Sequence, residues 1–550
     1  MELDFARCRD VWVPPDPLTG KDGFWSPPPP HVRYGVEEII KHPYYLLADD
    51  MGGMKTAQAI ISAQFLHDMG KIDRVIVVAP ASVRPKVWYD QDLGQLREQV
   101  FEDKRNIVTE YHSKVRFWEH GPSEAKPLKW IVTNYEFIRS KPNLAALVDY
   151  CDERTFLILD ESSAVRSYDS AQTEACMVLR WQVNKNQRPI MGVPRAGRIL
   201  EMNGTPIAET PLDMFSQGNL LHPDILECRF ITHYKARYAV QGIVRGTGGQ
   251  ALLNPRTGKP LQTIDSWTNL GDLQKRFAPY ILRREAKELG IDFALPPVGL
   301  EVHLTEKTWK IYRDMRDEMV SWLESGVAVA SQASVKTMRL AQITSGFVGG
   351  VEAAHIDGML DFDATGVPPP SMVEIGREKL DFALAWHADL LKHYPDLKLL
   401  TWCRFVSELR RYLAEVKKFG HPVGAACGQE VLGEGRHERE NALRLLHPKT
   451  APEGPVTVGA TQGTGAIGLN FTACRTVLDM SYDFSSFKKK QGDARVNRPG
   501  QTGPVSFFYL IAVGPKGQKT IDHHIMMERL GKTKINEWTV AAWVKALQEE

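Results

Sequence analysis

A short glycine-containing segment has the composition of a phosphate-binding loop. It comprises residues 49–56, follows the apolar run 45–48 and precedes a helical stretch that opens at Ala57. Backbone N–H groups of such a turn, at the N-terminus of a helix, can surround a polyphosphate. Lys55 would supply positive charge to the phosphates, and the Thr56 hydroxyl can bind Mg²⁺. Because Gly-Gly followed by Lys-Thr is common in surface turns, the segment needs support from its context.

Two adjacent carboxylates provide that support. Asp160 and Glu161 come directly after the apolar run 155–159. A strand that ends in two acids places both carboxylates at the carboxyl edge of a parallel sheet, where ligands bind in such folds. One acid can hold Mg²⁺ while the other orients and deprotonates an attacking water. The alternative is a solvated Asp-Glu turn, but a strand, a phosphate loop and an acid pair in this order favour nucleotide binding.

A pair of arginines lies in the segment Gln491–Gln501. Arg495 and Arg498 are three residues apart, so on a helical turn they share one face. Guanidinium groups aimed at a γ-phosphate stabilise the negative charge that develops in the transition state. The alternative is a solvent-facing basic turn. A second block of strands and helices carries this segment, so the arginines can approach the phosphates from a separate domain.

Short apolar runs predict the strands that position these side chains. The runs are continuous and rich in Val, Ile or Leu, as in strands buried on both faces of a parallel sheet, and the intervals between them suit crossover helices. They lie at 45–48, 74–79, 130–133, 155–159 and 198–202 in the first block, and at 398–402, 456–458, 476–480 and 505–510 in the second. The intervening residues 303–345 are predicted to be mainly helical, with one face packed against a core. That face carries Trp309, Tyr312, Met315, Met319 and Trp322.

The overall composition excludes several classes of protein. The 550 residues are 43% hydrophobic and 25% charged, which excludes a mainly disordered or collagen-like chain. The formal charge is only +1, so a polyanion would bind in a local cleft and not on a globally basic surface. No apolar run is long enough to span a membrane, and the N-terminus lacks the apolar stretch of a signal peptide. The seven cysteines are scattered without a C-x-x-C pair, and the histidines show no H-E-x-x-H spacing. We therefore expect no membrane contact, no zinc and a cytoplasmic location in a bacterium or an infected host cell.

Taken in order, these and further segments resemble the motifs of one family, the SWI/SNF-type ATP-dependent DNA translocases of helicase superfamily two. The resemblance covers about residues 31–535 and is to small viral or bacterial members that lack accessory domains. The segments, each with the motif that it resembles, are 49–56 (motif I), 78–83 (Ia), 132–136 (Ib), 159–163 (II), 202–207 (III), 279–284 (a paired-arginine element), 399–402 (IV), 461–470 (V) and 491–501 (VI). Several matches are loose individually, whereas the ordered set is highly specific.

The resemblance implies an α/β fold with two RecA-like parallel-sheet domains in tandem, inserted helical protrusions and a C-terminal bracing helix. A Pro-rich lead-in would occupy 1–30, and the first RecA-like, ATP-binding domain 31–285, with an insertion around 225–275. A helical protrusion and linker would follow at 286–380, the second RecA-like domain at 381–520 and the bracing helix at 521–550.

The resemblance also implies a monomer that hydrolyses ATP, with Mg²⁺, on binding duplex or branched DNA without regard to sequence. By family position the catalytic residues are Asp160, Glu161, Arg495 and Arg498, and the Mg²⁺ ligands are Thr56 and Asp160. Nucleotide contacts are expected from Asp50, Gly52, Gly53, Met54, Lys55, Thr56, Gly468 and Gln491. DNA contacts are expected from Ser82, Arg84, Asn134, Thr464 and Asn470, with turn capping as the alternative for Ser82 and Asn134. The run Lys488–Lys490 is either a solvated face or a further contact with the DNA backbone.

Four residues at three sites depart from the family pattern. Met54 replaces a glycine, and its side chain either crowds the phosphates or turns outward while Gly53 absorbs the backbone strain. Val32 stands near the place of a glutamine that reads adenine, and Ser162-Ser163 replaces Ala/Gly-His. We therefore expect ATP hydrolysis that survives in weakened form. The alternatives are a DNA-binding scaffold whose ATPase is impaired through Met54 and an RNA helicase of the same superfamily.

Overall fold

The computed structural model divides the chain into two compact units, Met1–Asp292 and Phe293–Glu550. It describes residues 3–8, 11–13, 24–26, 28–81, 84–89, 94–204, 206–207, 210–243, 250–251, 253, 258, 260–290, 293–324, 330–349, 372–433, 437–462, 470–483, 486–498 and 501–529. Within these ranges, the side chains of residues 11–13, 24–26, 84–86, 319–324, 330–336, 486–488 and 528–529 are not described. None of the helices in the described ranges is long and apolar enough to cross a membrane.

The first unit is built on an eight-stranded sheet with helices packed against it. Its strands are β1 (Val11–Val13), β2 (Phe24–Ser26), β3 (Tyr44–Leu47), β4 (Arg74–Ala79), β5 (Asn106–Glu110), β6 (Arg116–His120), β7 (Leu128–Asn134), β8 (Thr155–Asp160), β9 (Trp181–Val183), β10 (Pro189–Pro194), β11 (Arg198–Met202), β12 (Ala239–Ile243), β13 (Gln262–Trp267) and β14 (Ile281–Leu282). The sheet order is β14-β3-β11-β8-β4-β7-β5-β6, while β1 pairs with β2, β9 with β10 and β12 with β13 in separate two-stranded sheets. All neighbours in the large sheet are parallel except β5 and β6.

The register of this sheet places the expected site residues together. Strand β11 lies between β3 and β8, and Met202 is opposite both Leu47 and Asp160. The carboxyl ends of β3 and β8 therefore reach the same edge of the sheet, where a parallel α/β fold binds its ligands. The two strands continue directly into the phosphate loop and the acid pair.

Helices of the first unit begin with α1 (Pro30–Lys41) and α2 (Lys55–Asp68). The others are α3 (Gln95–Gln99), α4 (Tyr135–Ile138), α5 (Lys141–Tyr150), α6 (Ala171–Arg180), α7 (Asp213–Leu221), α8 (Pro223–Leu226), α9 (Ile231–Tyr238) and α10 (Leu270–Phe277), with 3-10 turns at Phe5–Arg7, Ser162–Val165 and Ala278–Tyr280 and a π-helical turn at Arg84–Tyr89. Helix α2 is buried along nearly its whole length from Ala57 to Leu66, so the phosphate loop ends on an element fixed in the core.

The second unit contains a six-stranded, fully parallel sheet. Its strands are β15 (Val298–His303), β16 (Phe347–Val348), β17 (Val373–Glu374), β18 (Lys398–Cys403), β19 (Val423–Ala426), β20 (Val456–Thr461), β21 (Thr476–Asp479) and β22 (Ser506–Val513). The sheet order is β15-β22-β21-β18-β20-β19, and β16 pairs with β17. The helices are α11 (Glu306–Glu324), α12 (Ala330–Thr344), α13 (Glu378–His393), α14 (Val406–Val416), α15 (Glu438–Leu446), α16 (Ser486–Asp493) and α17 (Ile521–Arg529), with a 3-10 turn at Lys417–Phe419.

The helical region 303–345 packs into the core of the second unit. Trp309 and Tyr312 are buried and stack with ring centroids 5.4 Å apart. The Tyr312 hydroxyl accepts a hydrogen bond of 2.8 Å from the backbone N–H of Ile521, where α17 begins. The apolar face that the spacing predicts is therefore a core face at its N-terminal end, while the side chains of Met319 and Trp322 lie outside the described residues.

The predicted fold class is confirmed, because each unit is an α/β layer structure around a parallel sheet. All nine apolar runs predicted as strands lie in the two large sheets, with their ends shifted by a few residues. The finer five-part division of the chain stays a prediction. Half of the Pro-rich lead-in, the segment 244–249 of the predicted insertion and residues 530–550 of the predicted bracing helix lie outside the described residues.

Candidate active site

The phosphate loop joins β3 to α2 through a tight turn that needs its glycines. Gly52 has φ of 90°, in the region that favours glycine. A Cβ added at Gly53 would lie 2.8 Å from the Cβ of Asp49, closer than such atoms approach in proteins, and 3.1 Å from the carbonyl oxygen of Asp50. The close approach of the backbone to itself therefore explains why glycine occupies position 53.

Met54 has a left-handed backbone at the last position before α2. Its φ is 56° and its ψ 34°, a conformation that costs an L-residue with a Cβ roughly 1–2 kcal/mol. Gly53 has no positive φ, so the strain falls on Met54 itself and not on the neighbouring glycine as the sequence allowed. The side chain of Met54 packs against the apolar cluster that contains Val32 and Phe65.

The Lys55 ammonium is held across the loop. Its Nζ donates hydrogen bonds to the backbone oxygens of Asp49 at 2.7 Å and Asp50 at 3.2 Å. The loop after β11 is close by, because a Cβ added at Gly204 would lie 3.5 Å from this Nζ and 3.0 Å from Cγ of Met51. The lysine thus stands where the ends of β3 and β11 converge.

Asp160 is a buried carboxylate whose two oxygens both accept hydrogen bonds from the protein. The indole Nε1 of Trp88 donates to Oδ2 at 2.7 Å, and the backbone N–H of Glu161 donates to Oδ1 at 3.0 Å. Burial, and then the neighbouring Glu161, raise the pKa of Asp160 to about 6, while Lys55 opposes that rise.

Glu161 turns sharply out of β8. Its φ is 49° and its ψ is 57°. Glu161 is therefore the second non-glycine residue, after Met54, that has a left-handed backbone at this edge of the sheet. Within the described part of the chain, its buried Oε2 has no hydrogen-bond partner. A buried carboxylate oxygen without a donor is costly, so this atom is suited to accept a hydrogen bond from a water or ligand.

An ion pair that the sequence did not reveal fixes the start of the phosphate loop. Arg284 donates from Nε to Oδ1 of Asp49 at 2.9 Å and from Nη2 to Oδ2 at 2.5 Å. Asp49 is fully buried, so this bidentate pair is the main compensation for its charge. Arg284 also donates to the backbone oxygen of His31 at 2.8 Å, whereas its neighbour Arg283 is exposed.

The segment after β14 holds the loop through its backbone as well. The backbone N–H of Ala286 donates to Oδ2 of Asp50 at 3.0 Å, and the N–H of Asp50 donates to the oxygen of Arg284 at 2.9 Å. Gln58 completes the frame, donating to the oxygen of Gly53 at 2.7 Å and to Oδ2 of Asp49 at 3.2 Å. The paired-arginine element thus braces the phosphate loop.

Val32, at the place of the adenine-reading glutamine, is fully buried in the apolar cluster with Val36, Ile61 and Phe65. Its side chain belongs to the core.

Ser162 is the first of the two serines that stand in place of the family's Ala/Gly-His pair. Its hydroxyl donates to Oε1 of Gln217 at 3.1 Å, and this bond links the turn after β8 to α7.

The arginine pair lies in the second unit, beyond α16. Burial, and then the like charge of Arg495, lower the pKa of Arg498 to about 10. Both arginine side chains are half-buried, and their like charges disfavour one another. The surrounding backbone is fixed, because the oxygen of Arg495 accepts from the N–H of Phe471 at 2.9 Å and Gln501 donates to the oxygens of Cys474 and Val496. Gln491 itself is buried.

The middle lysine of the run Lys488–Lys490 is neither a solvated residue nor available to DNA. Lys489 is buried, and its Nζ pairs with Oδ2 of Asp479 and Oδ1 of Asp493, each at 2.5 Å. These two carboxylates raise the pKa of Lys489 against the opposing effect of burial, which is the largest single influence. Asp479 also accepts from Nε2 of Gln462 at 3.0 Å. Lys489 therefore connects α16 to the ends of β20 and β21, while Lys490 is exposed.

The expected DNA contacts are only partly within the described residues. Ser82 and Thr464 lie outside them, as does the expected nucleotide contact Gly468, and the side chain of Arg84 is not described. Asn134 is buried and caps α4, where its Oδ1 accepts from the N–H of Phe137 at 2.7 Å. Asn470 is half-buried and accepts from the N–H of Thr472 at 3.3 Å. Asn134 thus forms the capping bond given above as its alternative role, Asn470 forms a bond within its own turn, and the contact of either residue with DNA stays a prediction.

The residues at this edge of the first sheet fit a nucleoside triphosphate with Mg²⁺. The close backbone approach at Gly53 and the Lys55 ammonium on the same loop suit phosphate oxygens, and the buried, unpartnered oxygen of Glu161 suits a hydrogen bond from a water. Carboxylate and hydroxyl oxygens, as on Asp160 and Thr56, are the ligands that Mg²⁺ prefers. Among the described residues, no group of three or more His, Cys, Asp or Glu side chains is placed to hold a metal ion by itself.

Comparison with known proteins places this geometry in a family. A model of the SNF2-related domain matches residues 40–346, more than half of the chain. The chain is 22% identical over 494 residues to a probable ATP-dependent DNA helicase, CHR12, of Arabidopsis thaliana, covering 85% of this chain and 38% of that protein. It is 21% identical over 548 residues to the lymphoid-specific helicase of Homo sapiens, covering 90% of this chain and 60% of that protein. It thus spans less than two thirds of the length of each of these relatives.

Among solved structures, the chain is similar to the SWI2/SNF2 ATPase core of Sulfolobus solfataricus in complex with dsDNA. The sequence identity is 16%, the TM-score is 0.35, and the match covers 94% of this chain and 96% of that one. The phosphate loop, the acid pair and the third motif all lie within the residues that the family model matches. The chain therefore belongs to the SNF2-related domain family.

Proposed function

We propose that this chain is an ATP-driven motor that hydrolyses ATP on binding duplex or branched DNA and uses the energy to remodel DNA or displace bound proteins. The observation that carries the proposal is the convergence of Lys55 with the buried Asp160 and the half-buried Glu161 at one sheet edge, in a chain of the SNF2-related domain family. The name of the Arabidopsis relative, a probable ATP-dependent DNA helicase, supports DNA as the nucleic acid.

The proposed chemistry assigns a role to each residue. Lys55 and the N–H groups of the loop would hold the phosphates, with Thr56 and Asp160 as ligands of Mg²⁺, which neutralises phosphate charge when bound. Glu161 would orient the attacking water and take its proton, using the oxygen that has no partner among the described residues. Arg495 and Arg498 would stabilise the charge that spreads over the phosphate in the transition state.

We propose that the DNA is held through its phosphates, without sequence readout. Hydroxyl, amide and backbone contacts of the kind that Ser82, Asn134 and Asn470 can make position a protein on DNA but carry no sequence information. Affinity should then fall steeply as salt is raised and differ little between duplex sequences. The monomeric state and the cytoplasmic location expected from the sequence remain predictions.

The test is steady-state ATPase activity with no nucleic acid, single-stranded DNA, duplex, a forked duplex and RNA. We expect turnover that duplex or forked DNA raises. Glu161→Gln should retain nucleotide binding and lose turnover, while Glu174→Gln, at an exposed position of α6, should behave as the wild type. Stimulation by RNA but not DNA would instead select an RNA helicase, and a strong preference for one duplex sequence would contradict phosphate-only recognition.

A DNA-binding scaffold with an impaired ATPase is the second candidate, because Met54 holds a left-handed backbone inside the phosphate loop. Tight DNA binding with no turnover in the wild type would favour it. Restoration of turnover by Met54→Gly in that case would identify the loop as the cause.

A further inference from the structure

Two buried side chains of the first unit converge on Asp160. The first is Trp88, fully buried, whose Nε1 donates to Oδ2 of Asp160 at 2.7 Å. It lies in the π-helical turn Arg84–Tyr89, which contains the predicted DNA contact Arg84 and follows Ser82 by two residues. The indole thus connects the segment expected to touch DNA with the carboxylate expected to hold Mg²⁺.

The second is Tyr135, which is also buried. Its hydroxyl donates to the backbone oxygen of Asp160 at 2.9 Å. Tyr135 directly follows Asn134, another predicted DNA contact, at the carboxyl end of β7. Strand β4 pairs with both β7 and β8, so the chain segments that follow β4, β7 and β8 all start from one edge of the sheet.

We propose that Trp88 and Tyr135 are positioning residues through which DNA binding sets the orientation of the Asp160 carboxylate. The inference rests on the proposed function. A DNA backbone that displaces the turn 84–89 or the start of α4 moves a hydrogen-bond donor to Asp160, because each donor is within a few residues of the contact. A charge-assisted bond to a carboxylate is directional and strong, so Trp88 is the more important of the two.

A thermodynamic consequence separates this role from simple core packing. If DNA and nucleotide are coupled through Asp160, each ligand must raise the affinity for the other by the same factor. Removal of a donor should lower that coupling factor and leave the affinity for DNA alone unchanged. A side chain that only stabilises the fold would alter the free energy of unfolding but not this ratio.

The test uses Trp88→Phe, Tyr135→Phe and the double variant in the full chain. Matched controls are Trp130→Phe, which removes an equally buried indole donor to Asn106 at 2.9 Å, and Tyr234→Phe, which removes a buried hydroxyl donor to the backbone oxygen of Pro211 at 2.6 Å. Affinity for a fluorescent duplex is measured by anisotropy with and without Mg²⁺ and the non-hydrolysable analogue AMP-PNP. DNA stimulation of ATP turnover is measured alongside.

In the wild type we expect AMP-PNP with Mg²⁺ to tighten duplex binding. Trp88→Phe should lower this coupling factor by about tenfold, as expected for loss of one hydrogen bond to a charged group, or abolish the coupling if the wild-type factor is smaller than that. Tyr135→Phe should lower the coupling factor by about fivefold. Both controls should retain the wild-type factor, and all variants the wild-type affinity without nucleotide. Should Trp88→Phe fail to fold, Tyr135→Phe carries the same test.

Wild-type coupling in both Trp88→Phe and Tyr135→Phe would overturn the inference and leave the proposed motor intact. Equal losses in the control variants would also overturn it, because the effect would then not depend on Asp160. Absence of any coupling and of any DNA stimulation in the wild type would overturn the inference together with the proposed function.

Discussion

The left-handed backbone at Met54 gives a sharp prediction for the phosphate loop. With φ of 56°, any residue that carries a Cβ costs roughly 1–2 kcal/mol more there than in an ordinary conformation. Met54→Gly removes that cost but adds roughly 0.5–1 kcal/mol of entropy to the unfolded chain. Met54→Ala is the matched control, because it also deletes the side chain that packs against Val32 and Phe65 and yet retains the Cβ.

The difference between the two variants therefore isolates the backbone. Met54→Gly should be more stable than Met54→Ala by about 0.5–1 kcal/mol, read as a shift of the urea midpoint at constant slope. The wild type should exceed Met54→Ala by the packing that its side chain adds. ATP turnover should be at least as fast in Met54→Gly as in the wild type. If Met54→Ala equals or exceeds Met54→Gly in stability, residue 54 does not hold a left-handed backbone and the reasoning fails.

Three further predictions concern buried charges. Arg284→Ala should destabilise the fold by about 3–5 kcal/mol, because a buried carboxylate loses its partner, whereas exposed Arg283→Ala should change stability by under about 0.5 kcal/mol in the same urea series. Lys489→Met should cost a similar 3–5 kcal/mol or so and slow ATP turnover, while Lys490→Met should do neither; equal effects would show that burial is not the cause. Burial lowers the pKa of His387 to about 3, below its unfolded value near 6.5, so the unfolded state binds the extra proton. His387 should therefore lower the free energy of unfolding by about 2 kcal/mol between pH 7 and pH 5, and the loss of stability over that interval should be smaller by about this amount in His387→Gln than in the wild type.

Nine of the fourteen described strands in the two large sheets were predictable, because a strand buried on both faces needs a continuous apolar run. β4, with the sequence RVIVVA, is the clearest case. β19 was missed because Val423–Ala426 consists mostly of small residues without a pattern. Its Gly424 allows α15 to approach, since an added Cβ would lie 2.9 Å from Cα of Ala442. Such a contact depends on a neighbour that the local sequence does not identify.

The residues of the candidate site also fall into those that the local sequence identifies and those that it does not. The phosphate loop and the acid pair could be located from local sequence because their chemistry requires adjacent residues of fixed types. The partner of Asp49 could not, because Arg284 lies 235 residues further along the chain. Nor could the run Lys488–Lys490 be resolved, because three identical side chains in a row do not show which one is buried against Asp479.

Backbone strain at the site indicates that the phosphate loop already has its binding conformation before a nucleotide binds. Two of the five described non-glycine residues with positive φ are Met54 and Glu161, and both stand at the carboxyl edge of the first sheet. Each such conformation costs about 1–3 kcal/mol and persists only where its surroundings hold it. Around Met54 those surroundings are the Gln58 bond to the loop and the Arg284 pair with Asp49. Because the fold already bears this cost, a bound triphosphate would not have to order the loop. It follows that Arg284→Ala should weaken ATP binding far more than Met54→Gly, since the first releases the frame while the second only relieves the strain within it.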